Sequence, residues 1–167
     1  MDVDVTGAFT DALETRDVTW SRATPEAFES TLGDAIEEPA VGTPLPFEGV
    51  SLPETVTVDP STDELAEATT GVTAAAFGVA DYGSLVLRID DAGGEPLSLW
   101  PERHVAVLDE REILPDMASA IERMAEGTEA GESFVVATGP SATADMGALV
   151  QGAHGPKTVH AILLEGL

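Results

Sequence analysis

Three stretches of this chain are apolar without the polar alternation of a half-buried strand: HVAVL (His104 to Leu108), SFVVAT (Ser133 to Thr138) and TVHAILL (Thr158 to Leu164). Strands of that kind have to be covered on both faces, which is the situation inside a parallel sheet flanked by helices. Helical patterns lie between and before them. Val5 to Arg16 reads as an opening helix, followed by a strand at VTW (Val18 to Trp20). TPEAFESTLGDAI reads as a second helix, with Thr24 as N-cap, Pro25 at the first helical position and Ala27, Phe28, Leu32, Ala35 and Ile36 on one apolar face. LPDMASAIERMAEG reads as another helix, stopped near Gly127. The alternation predicts a layered α/β fold with a largely parallel sheet. At 167 residues the chain falls in the usual range of one domain.

The remaining segments fill in the pattern. EEPAVGTPLPFEGVSLPE, with four prolines and two glycines, leaves room only for a very short strand at Ala40 and Val41 inside a long connection. TVTVD reads as a strand, and PSTDELAEAT as a helix opening at Ser61 or Thr62. In the middle, apolar runs from Ala74 to Ala80 and from Ser84 to Ile89 are split by Asp81-Tyr82-Gly83, which predicts an antiparallel hairpin inserted in the layered fold.

Charge restricts what the surface can do. Thirty-one acids face seven bases, a formal charge of −24, and Lys157 is the sole lysine. With no basic patch, nucleic-acid binding is not expected. The acids are scattered along the chain, as in a surface built to be screened by high salt. The chain has no cysteine, which excludes disulfides, thiolate zinc and iron–sulfur ligation on this chain. No histidine pair has metal-ligand spacing, so no metal site is expected. No stretch reaches the roughly 20 apolar residues of a membrane span, and the acidic N-terminus lacks a basic leader. The expectation is a soluble protein of a high-salt cytosol, not exported.

Two glycine-containing loops carry the candidate chemistry. In FVVATGPSATADMG, the strand ending at Thr138 runs through Gly139, Pro140 and Ser141 into a small-residue segment with Thr143 and Asp145, read as a strand-to-helix turn. Open α/β sheets bind ligands beyond the carboxyl ends of strands, where helix amides are unpaired, so such a turn suits an anion or carboxylate. Ser141 or Thr143 acting simply as a helix cap is the alternative. Gly152 and Gly155 flank His154 in GAHGP, where the histidine is either a loop hydrogen-bonder or an acid/base. Asp81 is either a turn residue or an acid/base, and Asp145 either that or a first-turn acid serving the helix dipole. His104 and His160, inside strands, are expected to be structural. The two loops are expected at one edge of the sheet, with the Asp81 turn near them.

TTGVTAAAFGVADYGSLVL, HVAVLDEREILPDM, ATGPSATADMG and GAHGPKTVHAILLEG, in this order, resemble the lactate-utilization protein C family, the LUD domain. The resemblance makes residues 1–167 a single LUD-like domain, with 69–167 carrying the motifs and 1–68 matching loosely. It implies a fold similar to the glucosamine-phosphate deaminase, ribose-phosphate isomerase and CoA-transferase-like superfamily. It also implies an accessory, non-redox subunit of an L-lactate to pyruvate oxidising system, with no cofactor on this chain. The ligand would be a small carboxylate or phosphate, and the partners iron–sulfur protein subunits. The alternative is an enzyme of that superfamily acting on a small acyl or phosphorylated substrate, with Asp81, Asp145 or His154 as acid/base. Two positions depart from the family's usual Gly-Pro-Ser-Arg-Thr-Ala-Asp-Ile-Glu: Ala142 replaces the arginine and Gly147 the glutamate. Tyr82 also stands where a small hydroxyl residue is common. Arginine is the side chain best suited to grip a carboxylate, and Arg88 and Arg103 are the candidates to replace it.

Overall fold

The computed structural model describes residues 4–91, 93–145, 148–152 and 154–167. Its centre is a six-stranded sheet in the order β1-β12-β7-β4-β2-β3. The strands are β1 (Val18–Ala23), β2 (Ala40–Gly42), β3 (Val56–Val58), β4 (Thr70–Ala74), β7 (Arg103–Asp109) and β12 (Thr158–Leu164), and every neighbouring pair is parallel. The unbroken apolar runs of β7 and β12 are explained by two different cores. Val105, Val107, Ile162 and Leu164 pack with Phe28, Leu32 and Ala35 of α2 (Phe28–Ala35) on one face. Ala106, Leu108, Ala161 and Leu163 pack with Phe9 and Leu13 of α1 (Val5–Thr15) on the other. Successive residues of a strand point to opposite faces, so both sets had to be apolar. Before α2, Pro25–Ala27 form a short 3₁₀ turn, and Thr24 makes no side-chain capping bond.

A second sheet, in the order β8-β5-β6-β9, covers the α1 face. It consists of β5 (Phe77–Val79), β6 (Ser84–Ile89), β8 (Ile113–Leu114) and β9 (Ser133–Thr138). The hairpin around Asp81 to Gly83 is present as β5 and β6, antiparallel. Its first arm is shorter than expected, because the preceding residues form β4. The chain steps between sheets at Ala75 and Ala76, whose amides bond Val107 O in the parallel sheet and Val86 O in the second. An apolar run covered on both sides carries no mark of that step. β9 also departs from expectation. It pairs only with β6, antiparallel, and is the edge of the second sheet. Phe134 packs against α5 (Met117–Glu129) and Val135 against the α1 core, but Val136 is 42% exposed.

Among the described residues no helix follows β9. Ala142–Asp145 (β10) and Ala148–Gln151 (β11) pair antiparallel, Thr143 opposite Val150 and Asp145 opposite Ala148. A threonine and an aspartate in a four-residue run are poor helix formers, and the pairing with the apolar Ala148–Val150 segment prevails. Two helices complete the fold. α3 (Thr62–Glu67) opens at a capping box, Ser61 Oγ accepting from the Glu64 amide while Glu64 accepts from the Ser61 amide. Replacing Ser61 with alanine is expected to cost about 1 kcal/mol, read as a lower denaturation midpoint. α4 (Gly94–Leu99) lies over β4, and sequence periodicity does not reveal it because it has only six residues. Gly71 permits its close approach, since a Cβ there would overlap the Leu97 carbonyl. No helix among the described residues is long and apolar enough to cross a membrane.

Candidate functional site

Ser141 joins the two loops that the sequence singled out. Its amide donates to Pro156 O (2.8 Å) and its carbonyl accepts from the Gly152 amide (2.8 Å). Its hydroxyl accepts from the His154 amide (3.3 Å). Gly139 makes the preceding turn at φ +74°, and its α-carbon comes so close to the Arg16 carbonyl at the end of α1 that a side chain would crowd it. The loops therefore do lie together. Their chemistry differs from that of a helix start, because the Ser141 amide is already bonded and no helix amides are available to cradle an anion.

Together the loops wall a cavity of about 270 Å³ whose remaining lining comes from α4, β7, β9 and β12. Thr138, Gly139, Pro140, Ser141, Ala142, His154 and Gly155 all reach it. Gly152 lies in an adjoining open groove of about 610 Å³ with Leu99, Trp100 and His154. Thr143 and Asp145 are placed only by their backbone in β10, and Gly147 lies outside the described residues. Asp81 is not part of the cavity wall: it accepts a long bond from the Met117 amide (3.4 Å) at the start of α5. Its turn still lies beside the β9 end of the site, where Ser84 Oγ meets Thr138 Oγ1 at 2.7 Å.

The cavity opens at the amino ends of β7 and β12, not beyond the carboxyl ends of parallel strands. The expectation failed because β9 belongs to the other sheet. The hollow beyond the carboxyl ends of β2 and β4 is smaller, about 170 Å³, and includes Thr43 and Thr73. Neither candidate arginine replaces the one absent at Ala142. Arg88 pairs with Glu132 (3.0 Å). Arg103 points to the α2 face, where its Nε donates to the Ala35 carbonyl at the helix end.

His104, expected to be structural, reaches the cavity floor between α4 and β9. It is 1% exposed, with Nε2 2.8 Å from Thr73 Oγ1, and burial pushes its pKa down to about 4. Only its position opposite Gly71 in the register, under α4, marks it as different from the rest of β7, and that is invisible without the fold. His160 matches the structural expectation. Thr19 and Ser21 hydroxyls bond its two nitrogens at 2.8 and 2.9 Å, and burial, then the Arg103 charge, depress its pKa to about 4. No His, Asp or Glu cluster suited to a metal ion occurs among the described residues.

The LUD domain family model matches residues 54–164, more than half of the chain. The chain belongs to the LUD domain family. Lactate utilization protein C of Deinococcus radiodurans is 30% identical over 145 residues, which is 84% of this chain and 68% of that protein. The uncharacterized protein YkgG of Escherichia coli is 36% identical over 103 residues, 58% of this chain and 45% of that protein. Lactate utilization protein C of Oceanobacillus iheyensis is 28% identical over 104 residues, again 45% of its length. The match to this LUD domain thus spans under half of two of these three relatives. A crystal structure of a DUF162 family protein from Deinococcus radiodurans superimposes with a TM-score of 0.74 at 19% identity, covering 96% of both chains. That likeness establishes the fold.

Proposed function

We propose that this LUD domain is a non-redox accessory component of an L-lactate utilization system and holds a small carboxylate in the cavity under Ser141. The observation that carries this reading is the cavity wall itself. In a chain with 31 acids, no described residue lining the cavity is acidic, whereas three hydroxyl side chains and two histidines line it. An anion would meet hydrogen-bonding groups there without facing a carboxylate. The volume suits a molecule of a few heavy atoms, below the range usual for drug-sized ligands. The names of the relatives supply the lactate context. The exposed Leu99 and Trp100 beside the cavity (41% and 68%) favour a protein partner at the adjoining groove, and iron–sulfur subunits are the partners this reading implies. The enzymatic alternative has weaker support, because of Asp81, Asp145 and His154 only His154 reaches the cavity among the described side chains.

With no arginine or lysine among the described lining residues, binding should be no tighter than about millimolar, roughly −4 kcal/mol. Arginine at position 142, on the cavity wall, is expected to tighten it by a decade or more through a charge-assisted bond. Calorimetric titration of the native chain and Ala142→Arg with L-lactate, pyruvate and phosphate, at fixed high salt, checks both statements. Equal and undetectable heats in the two proteins would remove the carboxylate reading and leave the partner surface.

A further inference from the structure

The Thr73–His104 pair lies outside both loops, and its hydrogen bonding has a definite polarity. His104 is neutral near pH 7, because burial holds its pKa at about 4. A neutral imidazole carries one N–H and one bare nitrogen. Thr73 is 2% exposed, and its hydroxyl has no bond among the described residues except the one to His104 Nε2. If Nε2 held the hydrogen, the Thr73 O–H would be buried without an acceptor, an arrangement folded proteins avoid. With Thr73 donating, Nε2 is the acceptor and the imidazole hydrogen sits on Nδ1. No described residue bonds Nδ1, and no buried side-chain polar atom is orphaned among the described residues. Nδ1 is therefore open, and the space His104 opens onto is the cavity.

We propose that His104 is a ligand-binding residue, held by Thr73 as the Nδ1–H tautomer so that this N–H donates to a carboxylate or carbonyl oxygen of the molecule in the cavity. Ser141 supplies a second donor. Its oxygen already accepts from the His154 amide, which leaves its own hydrogen to give. Two neutral donors from β7 and the β9–β10 loop, in a lining that also contains apolar Val135 and Val159, select a small molecule with an acceptor head and a short apolar tail. An ammonium group would find no carboxylate among the described lining residues to receive it. The inference rests on the carboxylate reading of the cavity and adds the residue and the direction of the bond.

Imidazole ¹⁵N resonances of the folded chain at high salt and pH 7 test it. The expected result is the Nδ1–H form for His104, lost from dominance in Thr73→Val. Titration with formate, L-lactate and pyruvate should then shift the His104 Nδ1 resonance saturably. His104→Phe should weaken the calorimetric affinity at least fivefold, with part recovered in His104→Asn, whose amide nitrogen lies near the Nδ1 position. An Nε2–H tautomer, or a His104 signal unmoved by all three acids, overturns the proposal. A signal that responds to formate but not to L-lactate or pyruvate keeps the His104 donor and removes the lactate reading. Should His104→Phe fail to fold, the native titration decides.

Discussion

Moving the protein from 3 M to 0.1 M KCl is expected to unfold part of the population at 25 °C and to lower the thermal midpoint by about 10 °C or more. Thirty-one acids against seven bases leave a charge of −24. The described residues form five ion pairs, so most carboxylates are uncompensated. At 0.1 M the Debye length is about 10 Å, and neighbouring surface carboxylates repel across it. Near 1 M it is about 3 Å, and the repulsion is screened. For a chain of this size 1 kcal/mol moves the midpoint by about 2–4 °C, so the expected shift corresponds to roughly 3–5 kcal/mol. If screening is the cause, most of the rise comes below about 1 M and the curve flattens beyond it. A midpoint constant from 0.1 to 3 M would show that the acids are not a salt adaptation.

Legibility in the sequence depended on whether a pattern has one structural solution. α1, α5 and the buried strands β7 and β12 were legible, because an amphipathic stripe over three turns and an unbroken apolar run between polar segments have few alternatives. β4 was not separable from β5, since Thr70 to Val79 is small and apolar almost throughout and the change of sheet at Ala75 and Ala76 leaves no compositional trace. Ser133 to Thr138 looked like β7, yet it is an edge strand. Two apolar residues facing α5 and the α1 core give the same letters as two-sided burial.

The site was legible where glycine and proline fix the backbone. Gly139-Pro140 and Gly152 to Gly155 were identifiable as loops, and they do meet at Ser141. The segment from Ala142 to Asp145 was ambiguous. Ser, Thr and Asp suit a helix start and Thr also a strand, while of these and Ala only Ala favours a helix interior, and the pairing of β10 with β11 decided the matter through a contact that local propensity does not encode. That His104, expected to be structural, also lines the cavity was illegible for a different reason. Period-two alternation assigns it to a face but does not say that α4 stops at Leu99, beside the cavity that His104 lines. The glycine at position 71, opposite it, is a signal only once the register is known.

Lowering the pH from 7 to 5 at constant high salt is expected to destabilise the fold by about 2 kcal/mol through His104 alone, approaching about 3 kcal/mol near pH 4. The direction is set by which state binds the proton. The unfolded imidazole, with a pKa of 6.5, protonates first, while the buried one does not until about 4, so falling pH favours the unfolded chain throughout that interval. His160, depressed to about 4 by burial and by Arg103, acts in the same direction. The carboxylates do not interfere in this window. Asp109, held low chiefly by its hydrogen bond from Arg111, together with Glu26, Glu64 and Asp116, stabilises the fold above the ordinary carboxylate range and loses that contribution only below about pH 4. Urea denaturation at 3 M KCl should therefore show a midpoint that falls steadily from pH 6.5 to 4.5, and His104→Asn, which cannot titrate, should lose a large part of that slope. A midpoint independent of pH between 7 and 5 would mean that His104 and His160 take up protons in the folded protein as readily as in the unfolded one, so that neither ring is shielded from water.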